Sequence, residues 1–411
     1  MSERLEAWLE GIHAGQFARA DDGVVTFTYS EDAPATPISL SLPREGGWTR
    51  AAPTNLLDNL VPDREHARRR MAEVYGASGT GTFELLQKAG GDVAGGLLLL
   101  PEGEVPSAGP ARLNPALDRD VADRINSIKL DPDAWAPRDV PARFSLAGTQ
   151  GKFALARVDA DWYWSNESVP STHILKPGNR EHRDRELAEA AAMTLAADVG
   201  VPAPKVAILH TYDQTAFIIE RFDRAVTSTS LLAKRLHAED LAQSIGLSPG
   251  EKYGVTAEQI VGKLREVDGT GSLARAFIQQ LAFNVLVGNA DAHAKNYSVL
   301  LRPGGVSLAP IYDVVPTGLY PSFEQELAMR ISGARYPQAV SRDHWRKFAR
   351  RVAMDPDDVV SIVSGVAIGM AEMNDSAWVQ LDDDHVEVMR ATVERNTALA
   401  LTEPHRSRTG S

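Results

Sequence analysis

The chain has 411 residues, 43% hydrophobic and 24% charged, the balance of an ordinary globular protein with room for two or three domains. A formal net charge of −12 argues against a molecule drawn as a whole to nucleic acid or to an anionic membrane, so any such contact must be local or come through a partner. The absence of cysteine excludes disulfides, thiolate metal sites and cysteine nucleophiles. Charges run all through the opening MSERLEAWLEGIHAGQF, which fits no signal peptide, and the densest apolar run, VAGGLLLL at 93–100, is too short to span a bilayer. A cytoplasmic protein is expected.

In chain order, a small mixed unit is expected over 1–105, with β-like segments GVVTFTYS (23–30) and ISLSLP (38–43) and then helical patterning from about Leu56 to Val74. Gly and Pro crowd GGDVAGGLLLLPEGEVPSAGP, and a linker region is expected over 106–142. The section 143–225 is β-rich: FSLAGTQGKFALARVD, WYWSNES, STHILKP and, after a helix at about 184–199, PKVAILHTYDQTAFIIERFD. This order predicts about five antiparallel strands with one helix on them. Over 226–400, segments such as AEQIVGKLREV, SLARAFIQQLAFNVLVG, RDHWRKFARRVAM and DHVEVMRATVERNTALAL spell helix after helix, and 401–411 reads as a disordered tail. The fold class is α+β: a β-rich lobe ahead of an all-helical one, the cleft between two such lobes being a usual place for a ligand.

The stretch GNADAHAKNYSVL (288–300) concentrates polar groups directly after the apolar run LAFNVLV. Asp291 and Asn296, five residues apart on a loop, have the spacing of a carboxylate that accepts a proton from an attacking hydroxyl and an amide oxygen that binds a metal; protein kinases use that D-x-x-x-x-N spacing. Seventeen residues further on, Asp313 interrupts the apolar run of APIYDVVPT, where a second metal-binding carboxylate belongs. Taken singly, either aspartate is an ordinary turn residue; together and in this order they read as a site. Upstream, SLAGTQGK (145–152) sets small residues between two β-like stretches, so that backbone N–H groups can approach phosphate, although a hairpin turn has the same composition. Lys176 ends the apolar strand THILKP and can reach phosphates or extend into water. Glu189, on the following Ala-rich helix, can orient Lys176 by an ion pair. AFIIERFDR (216–224) ends an apolar strand where the β-rich part gives way to helices, the point at which a kinase hinge presents backbone groups to adenine.

In its order of motifs the chain resembles the HipA family of serine/threonine kinases, the toxins of bacterial toxin–antitoxin pairs. LSLP (40–43), NLLDNLVPD (55–63), FELLQKAGGDVAGGLLLLPEGE (83–104), FSLAGTQGKFAL (144–155), THILKP, ERFDR, EDLAQSIGLSPGEKY (239–253), GNADAHAKNYSVL and YDVVP look like successive family signatures through about residue 335. The resemblance implies a two-lobed protein-kinase-like fold and transfer of the γ-phosphoryl group of ATP, with Mg²⁺, to a protein serine or threonine. It implies Asp291 as catalytic base, Asn296 and Asp313 as Mg²⁺ ligands, and Lys176 on the phosphates. Ser145, Ala147, Gly148, Thr149, Gln150 and Lys152 are implied in the phosphate-binding loop, and Glu220, Phe222 and His293 near the nucleotide. Ser145 also falls at the family's self-phosphorylated serine.

Two departures stand out. PGNREHRDRELA, between Lys176 and Glu189, is short and strongly charged for an activation-type loop, and the helices after about 340 carry no signature. The resemblance further implies a HipB-like helix-turn-helix antitoxin as partner, DNA met mainly through that antitoxin, and a protein substrate, with aminoacyl-tRNA synthetases the targets established for family members. Two other readings are a small-molecule or lipid kinase, for which no membrane-binding face is apparent, and a pseudokinase co-repressor, against which Lys176, Asp291, Asn296 and Asp313 stand together. HWRKFARRVAM (344–354) and REHARRRM (64–71) are basic islands able to touch phosphate, or simply solvated cationic helix faces.

Overall fold

Leu5, Ala7 and Leu9 alternate with Arg4, Glu6 and Trp8, and this period of two becomes strand β1 (Glu3–Leu9) with those three side chains buried. The computed structural model of the chain describes residues 3–107, 109–136, 144–178, 181–182, 184–227 and 230–403. β1 turns at Glu10 and Gly11, both at positive φ, into β2 (Ile12–Arg19), which pairs with β3 (Val25–Tyr29). Helices α1 (Ala52–Asp58), α2 (Glu65–Tyr75) and α3 (Thr82–Ala89) then lead to β4 (Leu98–Pro101), which closes an antiparallel sheet of order β3-β2-β1-β4. Leu56, Leu57, Phe83 and Leu86 bury against Leu5, Phe17, Phe27 and Leu99 in one apolar cluster. Two expectations change here. The helical patterning of 56–74 is two helices parted around Pro62, and ISLSLP is no strand: the Ile38 amide donates to the Tyr29 hydroxyl and the Leu40 amide to Glu239, so side chains take the place of a strand partner.

The stretch 106–142, expected as a linker, contains β5 (Asn114–Pro115) and α4 (Asp118–Leu130); its residues 108 and 137–142 lie outside the described ones. β5 opens a second sheet with β6 (Phe153–Val158), β7 (Asp161–Trp164), β8 (His173–Pro177), β9 (Val206–Thr211) and β10 (Gln214–Glu220), all antiparallel in the order β5-β7-β6-β8-β10-β9. The helix packed on β8, β9 and β10 is α4, through Val121, Ile125 and Ile128, which join Leu155, Leu175 and Ile218. The helix expected in that place, α5 (Arg185–Asp198), belongs from Leu187 onward to a second structural unit.

The first unit comprises Met1–Glu186, Lys205–Lys252 and Ser298–Ala309. Beside β11 (Arg224–Ala225) it therefore takes β12 (Lys234–Arg235), β13 (Ala238–Asp240) and α6 (Leu241–Ile245), the last three from the section expected to be wholly helical. It also takes the hairpin β14 (Ser298–Arg302) and β15 (Gly305–Leu308), which pairs with β13. Arg221 and Arg224 of the ERFDR motif are buried with Asp223 and Asp92: Arg221 Nη2 lies 2.7 Å from Asp223 Oδ2, and Arg224 Nη2 lies 2.9 Å from Asp92 Oδ1. Burial opposes ionisation of Asp223, yet Arg221 and Arg224 outweigh it and hold the carboxyl well below the usual range. Removal of one carboxylate from such a cluster strands a buried cation, which is why the four charges belong together.

Glu239 is a different case, fully buried with no cation beside it, accepting from the Leu40 amide at 2.9 Å and the Ser244 hydroxyl at 2.9 Å. Burial pushes its carboxyl up to about 7, against the moderating hydrogen bonds of Ser39, Leu40 and Ser244. A folded value above the unfolded one contributes stability that is complete below the unfolded value of 4.5 and lost as pH rises through about 7. Glu239→Gln keeps the accepting oxygen and removes the charge. It is expected to leave the melting temperature nearly unchanged at pH 4 and to stabilise by about 3 kcal/mol at pH 8. A variant no more stable than the parent at pH 8 in thermal melts rejects that assignment.

The second unit comprises Leu187–Pro204, Tyr253–Tyr297 and Pro310–Ser411. Besides most of α5 it holds α7 (Ala257–Val267), α8 (Ser272–Val287), α9 (Arg342–Arg351), α10 (Pro356–Ala377) and α11 (Asp383–Leu401), and among its described residues the only β pairing is an isolated Ile331–Ala334 bridge. α8 is buried on almost every side, with α7, α10 and α11 packed on it, which is why its sequence is apolar all round. Asn396 of α11 donates to the carbonyls of Val285 and Leu286 near its C-terminus. No helix of the described residues is long and apolar enough to cross a membrane. Of the expected disordered tail, 404–411 lie outside the described residues, while Glu403 pairs with Arg342 and Arg346.

Candidate active site

α8 stops at Gly288, whose left-handed φ of 79° closes the helix with its N–H on the carbonyls of Asn284 and Val285. The loop that follows is held from inside. Asn289 Nδ2 donates to Asn284 Oδ1 at 2.8 Å, Asn284 Nδ2 donates to the Tyr297 hydroxyl at 3.1 Å, and the Ala290 amide donates to Thr317 Oγ1 at 3.1 Å. Burial pushes the Tyr297 hydroxyl up, against its hydrogen bond with Asn284, so it stays a neutral anchor. Polar residues after an apolar run thus supply the hydrogen bonds that a buried loop needs in the absence of water.

On this frame the His293 amide donates both to the Asp291 carbonyl (2.8 Å) and to Asn296 Oδ1 (3.1 Å), and residues 294–296 form one turn of 3₁₀ helix. Asn296 Nδ2 donates to Asp313 Oδ2 at 2.8 Å. Asp313 is a non-glycine residue at φ 57°, a left-handed conformation that aspartate tolerates better than most and that is often kept where a side chain must be aimed. The neighbouring Tyr312 hydroxyl donates to the Lys295 carbonyl at 2.7 Å, tying the two segments together. Asn296 is buried, Asp313 half-buried and Asp291 exposed. Asp291 borders a cavity of about 550 Å³ whose wall also includes Tyr253, Ala290, Glu324, Leu327 and Met329. The Tyr253 hydroxyl donates to Asp291 Oδ1 at 2.8 Å, and its ring stands edge to face with the buried His293 at 5.0 Å.

Asn296 and Asp313 form a pair of hard oxygen donors, and no group of three or more His, Cys, Asp or Glu able to hold a metal occurs among the described residues. That donor set suits Mg²⁺, which keeps several waters and is bound by one or two side chains together with phosphate oxygens instead of an all-protein cage.

The expected nucleotide residues of the first unit are placed as follows. Ser145 is buried, its hydroxyl donating to the Leu60 carbonyl at 2.7 Å and its amide to the Asp92 carbonyl at 3.0 Å. Lys152 Nζ turns back on its own loop, donating to the Ala147 carbonyl at 2.8 Å and lying 5.4 Å over the Trp135 ring. Gly148 has a φ of 103°, a backbone conformation that favours glycine, and a Cβ there would meet the movable Lys152 Nζ at 2.8 Å. Thr149 is exposed, and Gln150 Oε1 accepts from Arg185 at 3.3 Å. Lys176 is buried on β8 with its Nζ 5.8 Å over the Phe217 ring. Glu220 ends β10 within 4.0 Å of His173 and 3.9 Å of Lys205, and Phe222 packs on Ala238, Leu300 and Ala309. Burial, helped by the charge of Arg157, lowers His173 to about 4, so that the imidazole beside Glu220 is neutral near pH 7. Glu189 is fully buried on α5, in the second unit.

Sequence reading passed over Tyr253, Tyr312 and Asn289. Tyr253 stands at the end of EDLAQSIGLSPGEKY, a stretch that the resemblance marks without a role for the tyrosine. In 344–354, Arg346 pairs with Glu403, Lys347 with Asp343 and Arg351 with Glu258; in 64–71, Arg64 pairs with Asp133 and Arg70 with Asp131, while Arg68 donates to the Pro62 carbonyl and the Thr82 hydroxyl.

Residues 5–105 match the family model of the HipA N-terminal domain and residues 144–373 that of the HipA-like C-terminal domain, which extends past the last motif legible in the sequence. The chain is 32% identical to the "Putative kinase Y4mE" of Sinorhizobium fredii, over 85% of this chain and 86% of that one. It is 30% identical to the serine/threonine-protein kinase toxin HipA of Shewanella oneidensis, over 82% of this chain and 80% of the relative. A solved structure of the Shewanella oneidensis HipA toxin–antitoxin system, in complex with HipB and its operator DNA, superposes with a TM-score of 0.79 at 26% identity, covering 96% of each chain. Two domain models in the expected order and relatives aligned over most of both lengths leave one assignment: this chain belongs to the HipA family, with its kinase-like α+β fold.

Proposed function

We propose that this protein is a serine/threonine protein kinase toxin that transfers the γ-phosphoryl group of ATP to a protein hydroxyl. The observation that carries the reading is the 2.8 Å contact between Asn296 and Asp313, with Asp291 on the same hydrogen-bonded loop: a proton acceptor and two oxygen ligands within one unit. Bound ATP and Mg²⁺ supply the transferable group and the cation that neutralises its charge. Asp291 would take the acceptor's proton as the acceptor oxygen bonds the γ-phosphorus and the bond to ADP, the leaving group, breaks, and Asn296 and Asp313 would hold Mg²⁺. Lys176, with Ala147, Gly148, Thr149, Gln150 and Lys152 of the loop, is assigned to the phosphates, and Glu220, Phe222 and His293 to the nucleotide.

Self-phosphorylation of Ser145 is the self-inactivating arm of this reading. The buried hydroxyl must first leave Leu60, and a phosphate bearing nearly two negative charges cannot return to that apolar, hydrogen-bonded seat, so modification traps the loop away from its closed position. Incubation with ATP and Mg²⁺, followed by peptide mass spectrometry, is expected to find phosphate on Ser145 and on an added protein acceptor, and on neither with excess EDTA. Transfer that persists in EDTA rejects the metal assignment; an unmodified Ser145 beside a phosphorylated acceptor rejects only the self-inactivation.

The structurally similar Shewanella oneidensis HipA is in complex with HipB and operator DNA. A HipB-like helix-turn-helix antitoxin is accordingly the proposed partner of this chain, with DNA reached mainly through it, a division of labour that suits a net charge of −12 and the ion pairs within both basic islands. A short helix-turn-helix gene next to this one, whose product co-elutes with the chain, is the sign to look for. The protein target, an aminoacyl-tRNA synthetase in this proposal, is to be sought by phosphoproteomics after induction, with arrest of translation and growth as the outcome.

A further inference from the structure

We infer that Tyr253 is a positioning residue for phosphoryl transfer, holding the Asp291 carboxylate so that one oxygen faces the acceptor hydroxyl. The inference rests on the reading of Asp291 as proton acceptor and adds to it a residue which that reading leaves unused. Asp291 is exposed on a loop, and an exposed carboxylate rotates freely about its terminal torsion unless something fixes it. The Tyr253 hydroxyl donates to Oδ1 at 2.8 Å, a charge-assisted hydrogen bond that restrains the rotation of the carboxylate. The phenol is itself fixed, because its ring meets the buried His293 edge to face at 5.0 Å, and the His293 amide donates to the carbonyl of Asp291. Tyr253, His293 and Asp291 thus form a closed brace around the carboxylate, and Tyr253 and Asp291 share the wall of the same cavity of about 550 Å³. Tyr253 is nonetheless 53% exposed, an unusual place for a large aromatic whose only task is packing.

Tyr253→Phe separates hydroxyl from ring, since the ring still stacks on His293. With γ-³²P-ATP, Mg²⁺ and myelin basic protein as acceptor, single-turnover transfer is expected to slow roughly tenfold, the effect of one hydrogen bond to a charged group. The half-saturating acceptor concentration, the affinity for a fluorescent ATP analogue and the melting temperature are expected to stay at parental values, a split that a packing role does not produce. Asp291→Asn is run beside it. Loss of transfer in Asp291→Asn with parental rates in Tyr253→Phe overturns the brace and leaves the kinase reading intact. Parental rates in both variants overturn the reading of Asp291 and the brace with it, and a slower Tyr253→Phe whose ATP-analogue affinity or melting temperature also falls assigns Tyr253 to packing and overturns the brace.

Discussion

Asp313→Asn is expected to lower phosphoryl transfer by about 10³-fold or more while leaving the fold in place. A metal ion contributes several kcal/mol to stabilising charge in such a transition state, and at about 1.4 kcal/mol per decade the loss of a charged ligand amounts to that factor. The choice of variant follows from the backbone. Asp313 sits at φ 57°, where alanine adds strain of about 1 kcal/mol that asparagine, at home in the left-handed region, largely avoids. Asparagine also keeps an oxygen to accept from Asn296 Nδ2, so the 2.8 Å link survives while the charge goes. Transfer measured across a Mg²⁺ titration, with thermal melts alongside, separates the outcomes: a rate within tenfold of the parent at saturating Mg²⁺ removes Asp313 from the metal site. Asp313→Ala, expected to be equally inactive but somewhat less stable, then distinguishes loss of charge from loss of the loop.

The parts of the molecule that were legible in the sequence are those where local pattern decides. α7, α8, α9, α10 and α11 are long segments with helical periodicity, and all five form where the periodicity sets them. The strands from β6 to β10 are apolar runs bounded by turn residues and were equally plain. The first hairpin was not expected, although Leu5, Ala7 and Leu9 alternate with Glu6 and Trp8. β14 and β15 lie hidden inside an otherwise helical section, because five residues of Val and Leu beside Arg-Pro-Gly-Gly carry no helix-or-strand signature of their own until β13, some sixty residues earlier, offers an edge.

The candidate site divides in the same way. Asp291 and Asn296 share a loop, and Asp313 is betrayed by a charge in an apolar run. The brace from Tyr253 joins residues 38 apart in sequence, and the burial of Ser145 depends on the carbonyls of Leu60 and Asp92, which no local pattern names. Helix α4 is concealed for a different reason: its first turn is acidic and its surroundings rich in Gly and Pro, so composition reads as linker while Val121, Ile125 and Ile128 make one apolar stripe against the sheet.

Asp291→Asn is expected to abolish most transfer while changing the structure least. The substitution keeps the size of the side chain and an oxygen able to accept from the Tyr253 hydroxyl, and it lies at an exposed position, so stability is expected to stay within about 0.5 kcal/mol of the parent. What it removes is the capacity to take a proton. General-base positioning is worth on the order of 10²–10⁴-fold, and single-turnover rates are expected to fall within that range. Nucleotide affinity is expected to hold, because in the proposed role Asp291 receives protons and does not hold phosphates, so a fluorescent ATP analogue measures binding independently of chemistry. In cells, the same variant expressed at parental levels is expected to lose growth inhibition in step with transfer, whereas a scaffold or co-repressor role would leave inhibition intact. A single-turnover loss below about tenfold would assign the proton to another group. Retained growth inhibition by a variant without measurable transfer would move the function of this chain from catalysis to binding.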